Sequence, residues 1–179
     1  MTQKIVAVAG VSGVGKSSFI KKLSDDFPVQ HLQASSLIRE GARIRDLESI
    51  GQDFLRELDI DENQALLVLG FERLKDKSSF VVLDCHTVID TPGGLVPISP
   101  SVFRAVGVAH LLVLTDDAEV IEARRRGDKE RSRPIRTSSE IFDYQLNSVI
   151  QGYNISQEIG VPLTVCKIEH ARSLDFIWS

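Results

Sequence analysis

Short runs of apolar residues are spaced along the chain, with longer stretches of mixed apolar and polar residues between them. Such runs are typical of strands buried on both faces of a parallel sheet. Helix signals fall between the runs, and no low-complexity linker or internal repeat separates them, so we expect a single α/β domain over residues 1–179. The predicted strands cover residues 5–9, 29–33, 80–83, 110–114 and 163–166, of which the second is the least apolar.

Residues that favour helix starts occur between the predicted strands. The pair Ser99-Pro100 has the composition of an N-cap followed by a first helical residue. Asp116 with Glu119 indicates a second start, because carboxylates stabilise the first turn of a helix. A Thr-x-x-Glu capping box begins at Thr137 and indicates a third.

The helix predicted to follow Thr137 carries an apolar stripe. Residues three and four positions apart lie on one helix face, and an apolar stripe of this kind is typical of packing against a core. We therefore expect this face to be buried. Its residues are Phe142, Leu146, Val149 and Tyr153.

A glycine-rich loop, Gly10-Val11-Ser12-Gly13-Val14-Gly15-Lys16-Ser17, directly follows the first predicted strand. Its glycines let backbone N–H groups converge on phosphate oxygens, and the next helix adds its positive N-terminal end. The spacing predicts that Lys16 reaches the β- and γ-phosphates and that the Ser17 hydroxyl coordinates Mg²⁺. A nucleoside triphosphate is the expected ligand, and a glycine-rich turn without a ligand is the alternative. The predicted binding residues are Gly10, Ser12, Gly13, Val14, Gly15, Lys16, Ser17 and Ser18.

The composition is that of a globular protein, with 179 residues, 42% hydrophobic and 26% charged. Its two cysteines, Cys85 and Cys166, lie in apolar runs and lack a metal-ligand spacing. No signal peptide or membrane-length apolar segment is visible, so we expect a cytoplasmic protein without a membrane partner. The net charge of −4 disfavours a nucleic-acid-binding face.

The absence of one sequence element separates classes of phosphate-loop protein. A switch GTPase carries an Asn-Lys-x-Asp element after a late strand, whereas here the strand at 110–114 continues into Thr115-Asp116-Asp117-Ala118. Large motor and transporter ATPases need further motifs and a longer chain. Kinases of small molecules and of nucleotides therefore remain.

The third predicted strand ends in a carboxylate, Asp84, followed by Cys85 and His86. A strand-end carboxylate beside a phosphate loop can hold Mg²⁺ directly or through water, so Asp84 is a predicted metal-binding and catalytic residue. The alternative is that the Asp84 side chain caps the loop that follows the strand and binds no metal. Because alternate residues of a strand share a side, we expect His86 to face the same cleft as Asp84. There it either contacts the phosphoryl acceptor or is a structural histidine with satisfied hydrogen bonds. Cys85 faces away, as a small buried residue.

Arginines are concentrated between residues 124 and 136. Phosphoryl transfer spreads negative charge over the equatorial oxygens, and guanidinium groups meet that charge with planar pairs of donors. We predict catalytic roles for Arg131 and Arg133 in a loop that closes over the site. Arg124 is interpreted as a helix-end residue that complements the dipole.

Four segments together resemble archaeal-type adenylate kinases, over most of the chain. The segments are residues 10–17, Leu58-Asp59-x-Asp61-x-x-Gln64, Asp84-x-His86-Thr87-Val88 with Thr91-Pro92-x-Gly94, and Arg124-Arg125-x-Gly127-Asp128 with Arg131-x-Arg133. The resemblance implies a P-loop NTPase fold of the nucleoside monophosphate kinase type, with a five-stranded parallel sheet and helices on both faces. It further implies a helical acceptor-binding part over 31–78, a short lid over 124–137, and a tendency to form homo-oligomers.

The stretch Ala34-Ser35-Ser36-Leu37-Ile38-Arg39 looks like the region of nucleoside monophosphate kinases that receives the acceptor phosphate. Ser36 and Arg39, with His86, are therefore the predicted acceptor-binding residues. Arg39 can instead pair with Glu40 or Glu48 on a surface helix. Arg56 is a second candidate, and Gln64 either reads a base edge or is an exposed helical residue.

Three departures from the family pattern bear on the substrate. Lys16 stands where archaeal adenylate kinases have a small residue, which strengthens phosphate binding. Asp90 stands where they tend to have lysine, which places a negative charge near the acceptor side and weighs against AMP. Residues 34–36 also differ from the usual Phe-Gly-Thr.

Together these observations predict an ATP-dependent nucleoside monophosphate kinase. Mg·ATP binds in the phosphate loop, and the γ-phosphoryl group passes in line to a nucleotide, with Lys16, Asp84, Arg131 and Arg133 as catalytic residues. One alternative is a kinase of the same fold for a non-nucleotide molecule, in which Asp84 or Asp90 accepts a hydroxyl proton. The other alternative is an ATPase that acts as a switch or assembly factor.

Overall fold

The computed structural model describes residues 4–45, 60–76, 80–91, 93–128, 134–174 and 177. Seven strands and six α-helices fall in these ranges, together with a 3₁₀ helix at Ile168–Ser173. The strands are β1 Ile5–Gly10, β2 Val29–Gln33, β3 Phe80–Asp84, β4 Val88–Thr91, β5 Gly94–Pro97, β6 His110–Thr115 and β7 Leu163–Lys167. The helices are α1 Lys16–Asp26, α2 Ala34–Ile44, α3 Ile60–Leu74, α4 Pro100–Val106, α5 Ala118–Gly127 and α6 Ser138–Ile159.

Five of the strands form one parallel sheet in the order β2-β3-β1-β6-β7. Strand β1 lies at its centre and is buried along its whole length, as its apolar sequence requires. All five strands were predicted from the apolar runs, and four of them extend one residue further at the carboxyl end. The α/β fold with a five-stranded parallel sheet is therefore confirmed, while β4 and β5 form a separate antiparallel hairpin.

Helices cover both faces of the sheet, and alternate residues of β1 point into two cores. Val6 and Val8 pack with Ile20 of α1 and Ile141 of α6. Ala7 and its neighbours on the other face pack with a second set of side chains, which includes Leu37, Phe71 and Phe103. The period of two along the strand thus divides the apolar residues between the two layers.

Helices α2 and α3 cross in close contact within the segment 31–78. A Cβ atom on Gly41 would lie 2.0 Å from the carbonyl oxygen of Leu66, and one on Gly70 would lie 2.0 Å from that of Leu37. Only residues without side chains permit this approach of the two backbones. The division of the chain into an acceptor-binding part and a lid remains a prediction, and α5 continues to Gly127 within the segment 124–137.

The predicted helix starts agree with the structure in two cases and shift in one. Ser99 caps α4 by accepting a hydrogen bond from the Ser101 amide, with Pro100 in the first turn. Thr137 and Glu140 form the reciprocal capping box of α6. Helix α5 has Asp117 at its N-cap position, one residue later than Asp116, and the Asp117 side chain makes no capping hydrogen bond.

The prediction that the stripe on α6 is buried was wrong. Phe142, Leu146 and Tyr153 are 61%, 49% and 56% exposed, and Val149 is half-buried. The buried face instead contains polar residues whose hydrogen bonds are satisfied: Gln145 bonds both backbone groups of Asp116 and Ser148 bonds Thr87. The remaining buried residues of this face are Ile141, Tyr144, Gly152, Ile155 and Ser156.

A search of the described residues for a helix able to cross a membrane found none that is both long and apolar enough.

Candidate active site

The phosphate loop joins the end of β1 to the start of α1. Gly15 precedes the helix with a φ of 108°, a conformation that residues with a Cβ rarely adopt. The first turn of α1 has no acidic residue, so the positive end of the helix is available to an anion. Lys16 is 8% exposed, and its Nζ donates to the carbonyl oxygen of Gly10 at 2.7 Å. The loop is thus arranged to bind phosphate.

A cavity of 240 Å³, here called the donor cavity, opens at this loop. Gly10 and Val14 do not line it: the carbonyl of Gly10 accepts from Lys16, and Val14 is fully buried, with its carbonyl accepting from Arg124. The donor cavity brings the other predicted residues together. They are Ser12, Gly13, Gly15, Lys16, Ser17, Ser18, Asp84 and His86.

Asp84 ends β3 beside β1, where it aligns with Val8. Its side chain is 6% exposed, and Oδ2 lies 3.7 Å from Nε2 of His31. Ser17 and Asp84 present a hydroxyl and a carboxylate oxygen at the wall of one cavity, and these are the donor types that Mg²⁺ prefers. The donor set therefore fits the metal, and these two residues would hold it. Sequence reasoning missed His31, which β2 brings to Asp84.

Cys85 and His86 occupy different surroundings at the end of β3. Burial, reinforced by the neighbouring Asp84 charge, raises the pKa of the Cys85 thiol to about 12. The predicted role of Cys85 as a buried residue and not a nucleophile is consistent with this pKa. His86 lines the donor cavity and the larger cavity described next.

A second cavity of 480 Å³, here called the acceptor cavity, lies among α2, α3, α4 and the end of β3. Its size is within the range of small-molecule sites, and its wall is mainly apolar, including Leu67, Val102 and Phe103. Five polar residues also line it. They are Ser35, Arg39, Asn63, Gln64 and His86.

Arg39 reaches the acceptor cavity from α2, and its Nη2 donates to Oγ of Ser36 at 3.1 Å. Ser36 is not itself at the cavity wall, so its contact with the site is through Arg39. Glu40 pairs with Arg43 instead of Arg39, and the hydrogen bond from Arg43 lowers the pKa of Glu40. Among the described residues, Glu40 is therefore engaged by Arg43 and not by Arg39. Glu48 and Arg56 lie outside the described residues.

Asp90 is enclosed by two arginines. Its Oδ2 accepts from Nη2 of Arg125 at 3.1 Å, and its Oδ1 accepts from Nη2 of Arg136 at 2.9 Å. Hydrogen bonds to Asp90 and Glu140 raise the pKa of Arg136. The negative charge of Asp90 is therefore engaged by the chain's own cations, and it does not face the acceptor side unpaired.

Arg124 has a role that the sequence interpretation missed. Its Nη1 donates to the carbonyl of Val14 at 3.0 Å and to Oδ2 of Asp116 at 2.7 Å, and the side chain lines the donor cavity. Arg124 and Arg125 follow the buried Ile121 by three and four positions, which places them on the side of α5 that faces the phosphate loop, although the Arg124 side chain is itself 45% exposed. That spacing was the available signal. Arg131 and Arg133, which were predicted to be catalytic, lie outside the described residues.

Comparison with known families settles the family of this chain. The model of the AAA domain family matches residues 9–141, more than half of the sequence. The chain belongs to the AAA domain family. The matched residues include the phosphate loop and most of the parallel sheet of this AAA domain.

Curated relatives of this AAA domain include archaeal adenylate kinases. That of Methanococcus vannielii is 25% identical over 153 residues, covering 81% of this chain and 79% of the relative. That of Methanocaldococcus jannaschii is 24% identical over 152 residues, covering 80% and 79%. The resemblance predicted from the motifs is confirmed.

Solved structures show the same fold at lower identity. A sugar kinase from Janibacter sp. has a TM-score of 0.57 at 15% identity, covering 98% of this chain and 94% of its own. Shikimate kinase from Bacteroides thetaiotaomicron has a TM-score of 0.53 at 15% identity, covering 89% and 85%. This AAA domain therefore has the fold of phosphate-loop kinases.

Proposed function

We propose that this protein is an ATP-dependent nucleoside monophosphate kinase. The observation that carries the proposal is that the donor and acceptor cavities meet at His86, which lines both. Such an arrangement allows direct transfer between two bound substrates without a covalent enzyme intermediate. The adenylate kinase relatives support a nucleotide as the acceptor.

The donor side holds ATP through the phosphate loop. The N–H groups of the loop and the positive end of α1 bind the phosphates, and Lys16 exchanges the carbonyl of Gly10 for a phosphate oxygen. Mg²⁺ bound near Ser17 and Asp84 would neutralise charge that develops on the phosphates. Catalysis then comes from positioning and electrostatic stabilisation.

The acceptor side suits a nucleoside monophosphate. Arg39 offers a planar guanidinium to the phosphate of the acceptor. Apolar side chains surround the space that a base occupies, and the Gln64 amide is available to its edge.

A panel assay tests this proposal directly. The purified protein is incubated with Mg·ATP and each of several nucleoside monophosphates or small alcohols, and products are separated by chromatography. Formation of a nucleoside diphosphate from the monophosphate supports the proposal. A phosphorylated alcohol indicates the non-nucleotide kinase, and ADP without a phosphorylated acceptor indicates the ATPase.

Arg39→Ala should raise the KM for the acceptor by about tenfold or more, because a charged hydrogen bond to phosphate is lost. The KM for ATP should change little. Steady-state kinetics measure both constants. Arg43→Ala is the matched control, since Arg43 lies on the same helix and pairs with Glu40 outside the cavity. Equal KM values for the acceptor in Arg39→Ala and Arg43→Ala would contradict the assignment of Arg39 to the acceptor site.

A further inference from the structure

The exposed face of α6 carries a row of large apolar side chains. Four of them follow one another at helical spacing over about three turns, and each is between 49% and 61% exposed. Single apolar residues are common on protein surfaces, whereas a contiguous apolar row is typical of a surface that another molecule covers. The members of this row, here called the exposed row, are Phe142, Leu146, Ile150 and Tyr153.

The helix carries no charged residue along most of this row. Residues 144–157 contain no Asp, Glu, Lys or Arg, and the exposed polar positions among them are the amides Asn147, Asn154 and Gln157. A helix face turned to solvent normally carries charged residues, and their depletion is the compositional mark of the centre of an interface. This face is therefore suited to being covered by another chain.

A groove of 620 Å³, here called the α6 groove, runs beside the exposed row. Its apolar side is formed by Phe142, Leu146 and Val149. On its polar side, Lys167 of the edge strand β7 bonds the carboxylate of Asp117 at 2.6 Å. Cavities of this size hold small molecules, so the groove is large enough for an aromatic side chain that a second chain supplies.

The exposed row has nearly the same order of residue types in both directions. Its two ends are the aromatic residues Phe142 and Tyr153, and its centre is formed by the aliphatic residues Leu146 and Ile150. In a two-fold interface, a contact from residue i to residue j is matched by one from j to i. A second α6 that runs antiparallel, centred near position 148, therefore places aliphatic residues against each other. It also places aromatic residues together, and contacts between aromatic rings are favourable.

Charges at the two ends of α6 favour the antiparallel direction. The exposed carboxylate of Asp143 lies near the amino-terminal end. Near the carboxyl-terminal end, the side chain of Arg104 is 54% exposed and donates to the carbonyl of Glu158 at 3.0 Å and to its carboxylate at 3.3 Å. A parallel pair would place the two copies of Asp143 side by side, whereas an antiparallel pair brings Asp143 towards the end that carries Arg104.

We propose that two copies of this protein form a two-fold dimer through antiparallel α6 helices, with Tyr153 of each copy inserted in the α6 groove of the other. Position 153 of one copy then faces position 142 of its partner, at the apolar side of that groove. An interface restricted to one helix and one groove is small, so we expect a dissociation constant on the order of 10 µM. Among the described residues, no member of the exposed row lines the donor or the acceptor cavity. The dimer therefore leaves both cavities open and is independent of the proposed function.

Sedimentation velocity at about 1–100 µM protein measures the association, and the parent protein should pass from monomer to dimer over this range. Tyr153→Ala should raise the dissociation constant about tenfold or more, because truncation of a central aromatic anchor removes much of the binding energy. Asn154→Ala is the matched control: Asn154 is the next residue of α6, is exposed and lies outside the exposed row. It should dimerise like the parent protein. Thermal unfolding shows whether each variant folds.

Cross-linking tests the register of the two helices. In a Cys166→Ala background, the thiol of Asn147→Cys lies within about 3 Å of the two-fold axis along the helix, whereas the two thiols of Asn154→Cys lie about 20 Å apart in that direction. A short bismaleimide should therefore join Asn147→Cys into a covalent dimer and leave Asn154→Cys monomeric. Cys85 is buried and should not react.

Several outcomes would overturn the proposal. They are a parent protein that stays monomeric at about 100 µM or forms trimers, equal dissociation constants for Tyr153→Ala and Asn154→Ala, and cross-linking at position 154 as efficient as at position 147. If Tyr153→Ala does not fold, Ile150→Gln replaces it under the same criteria, because it changes another exposed member of the row.

Discussion

Three consecutive residues at the end of β3 show how neighbouring positions acquire different chemistry. Asp84 and His86 both line the donor cavity, as strand alternation predicted. Cys85 lies between them, is buried, and has its Sγ 3.9 Å from the carbonyl of Val8. Alternation requires only that a strand be recognised, which explains why local sequence was sufficient here.

The raised pKa of Cys85 makes a prediction about thiol reactivity. In Cys166→Ala at about pH 8.5, a thiol reagent should label Cys85 only after denaturation, because the native thiol stays protonated and buried. Since the folded pKa, about 12, exceeds the unfolded one, about 9, this group's contribution to stability is full below about pH 9 and is lost as the pH rises toward 12.

Absorbance of the released reagent, followed with and without denaturant, measures the labelling. Cys85→Ala is the control, because its remaining thiol on Cys166 is only half-buried and should react without denaturant. Rapid labelling of native Cys166→Ala would contradict the buried position of Cys85.

Among the elements, α6 departs most from the sequence prediction. Its apolar residues allow two faces, one through Phe142 and Leu146 and one through Ile141 and Ile155, and helical periodicity does not choose between them. The choice depends on partners elsewhere in the chain. Gln145 fits the buried face because the backbone of Asp116 bonds both ends of its amide.

The two faces of α6 should respond differently to truncation. Ile141→Ala should lower the free energy of unfolding by about 2–5 kcal/mol, because it leaves a cavity in a fully buried position. Leu146→Ala should change it by no more than about 0.5 kcal/mol, because that side chain is half exposed. Urea denaturation with comparison of m values measures both. Similar losses in the two variants would restore the burial predicted from the sequence.

In the whole molecule, the parallel sheet brings together residues that are far apart in the sequence. The phosphate loop follows β1, and Asp84 is the last residue of the neighbouring β3, so they meet at the carboxyl edge of the sheet. Asp90 makes a second long-range connection, because it joins the β4-β5 hairpin to Arg125 on α5 and to Arg136 before α6. These contacts assemble the region between the donor and acceptor cavities.

Removing Asp90 should destabilise the molecule. Asp90→Ala should lower the free energy of unfolding by about 3–5 kcal/mol, because two arginines lose a buried carboxylate partner. Chemical denaturation provides the measurement, and Asp143→Ala, at an exposed position of α6, is the control. A loss no larger than that of the control would show that the ion cluster contributes nothing to stability.

Much of the donor site could be predicted, whereas the other features depended on distant contacts. The positions of Lys16, Ser17 and Asp84 at the donor cavity could be predicted from the sequence, because each residue lies in a short motif next to its own strand or helix. Arg125 and the pairing of Asp90 were not, because their partners lie 9 to 46 positions away in the chain. No local pattern encodes such contacts.

Apolar runs, capping residues and the glycine-rich loop specified the strands, the helix starts and the phosphate site, because each acts over a few neighbouring residues. The folded chain decided which face of α6 is buried, what neutralises Asp90 and where Arg125 lies. Each of these depends on the free energy of burying a group against a partner distant in sequence, and that free energy exists only once the sheet and its helices have assembled.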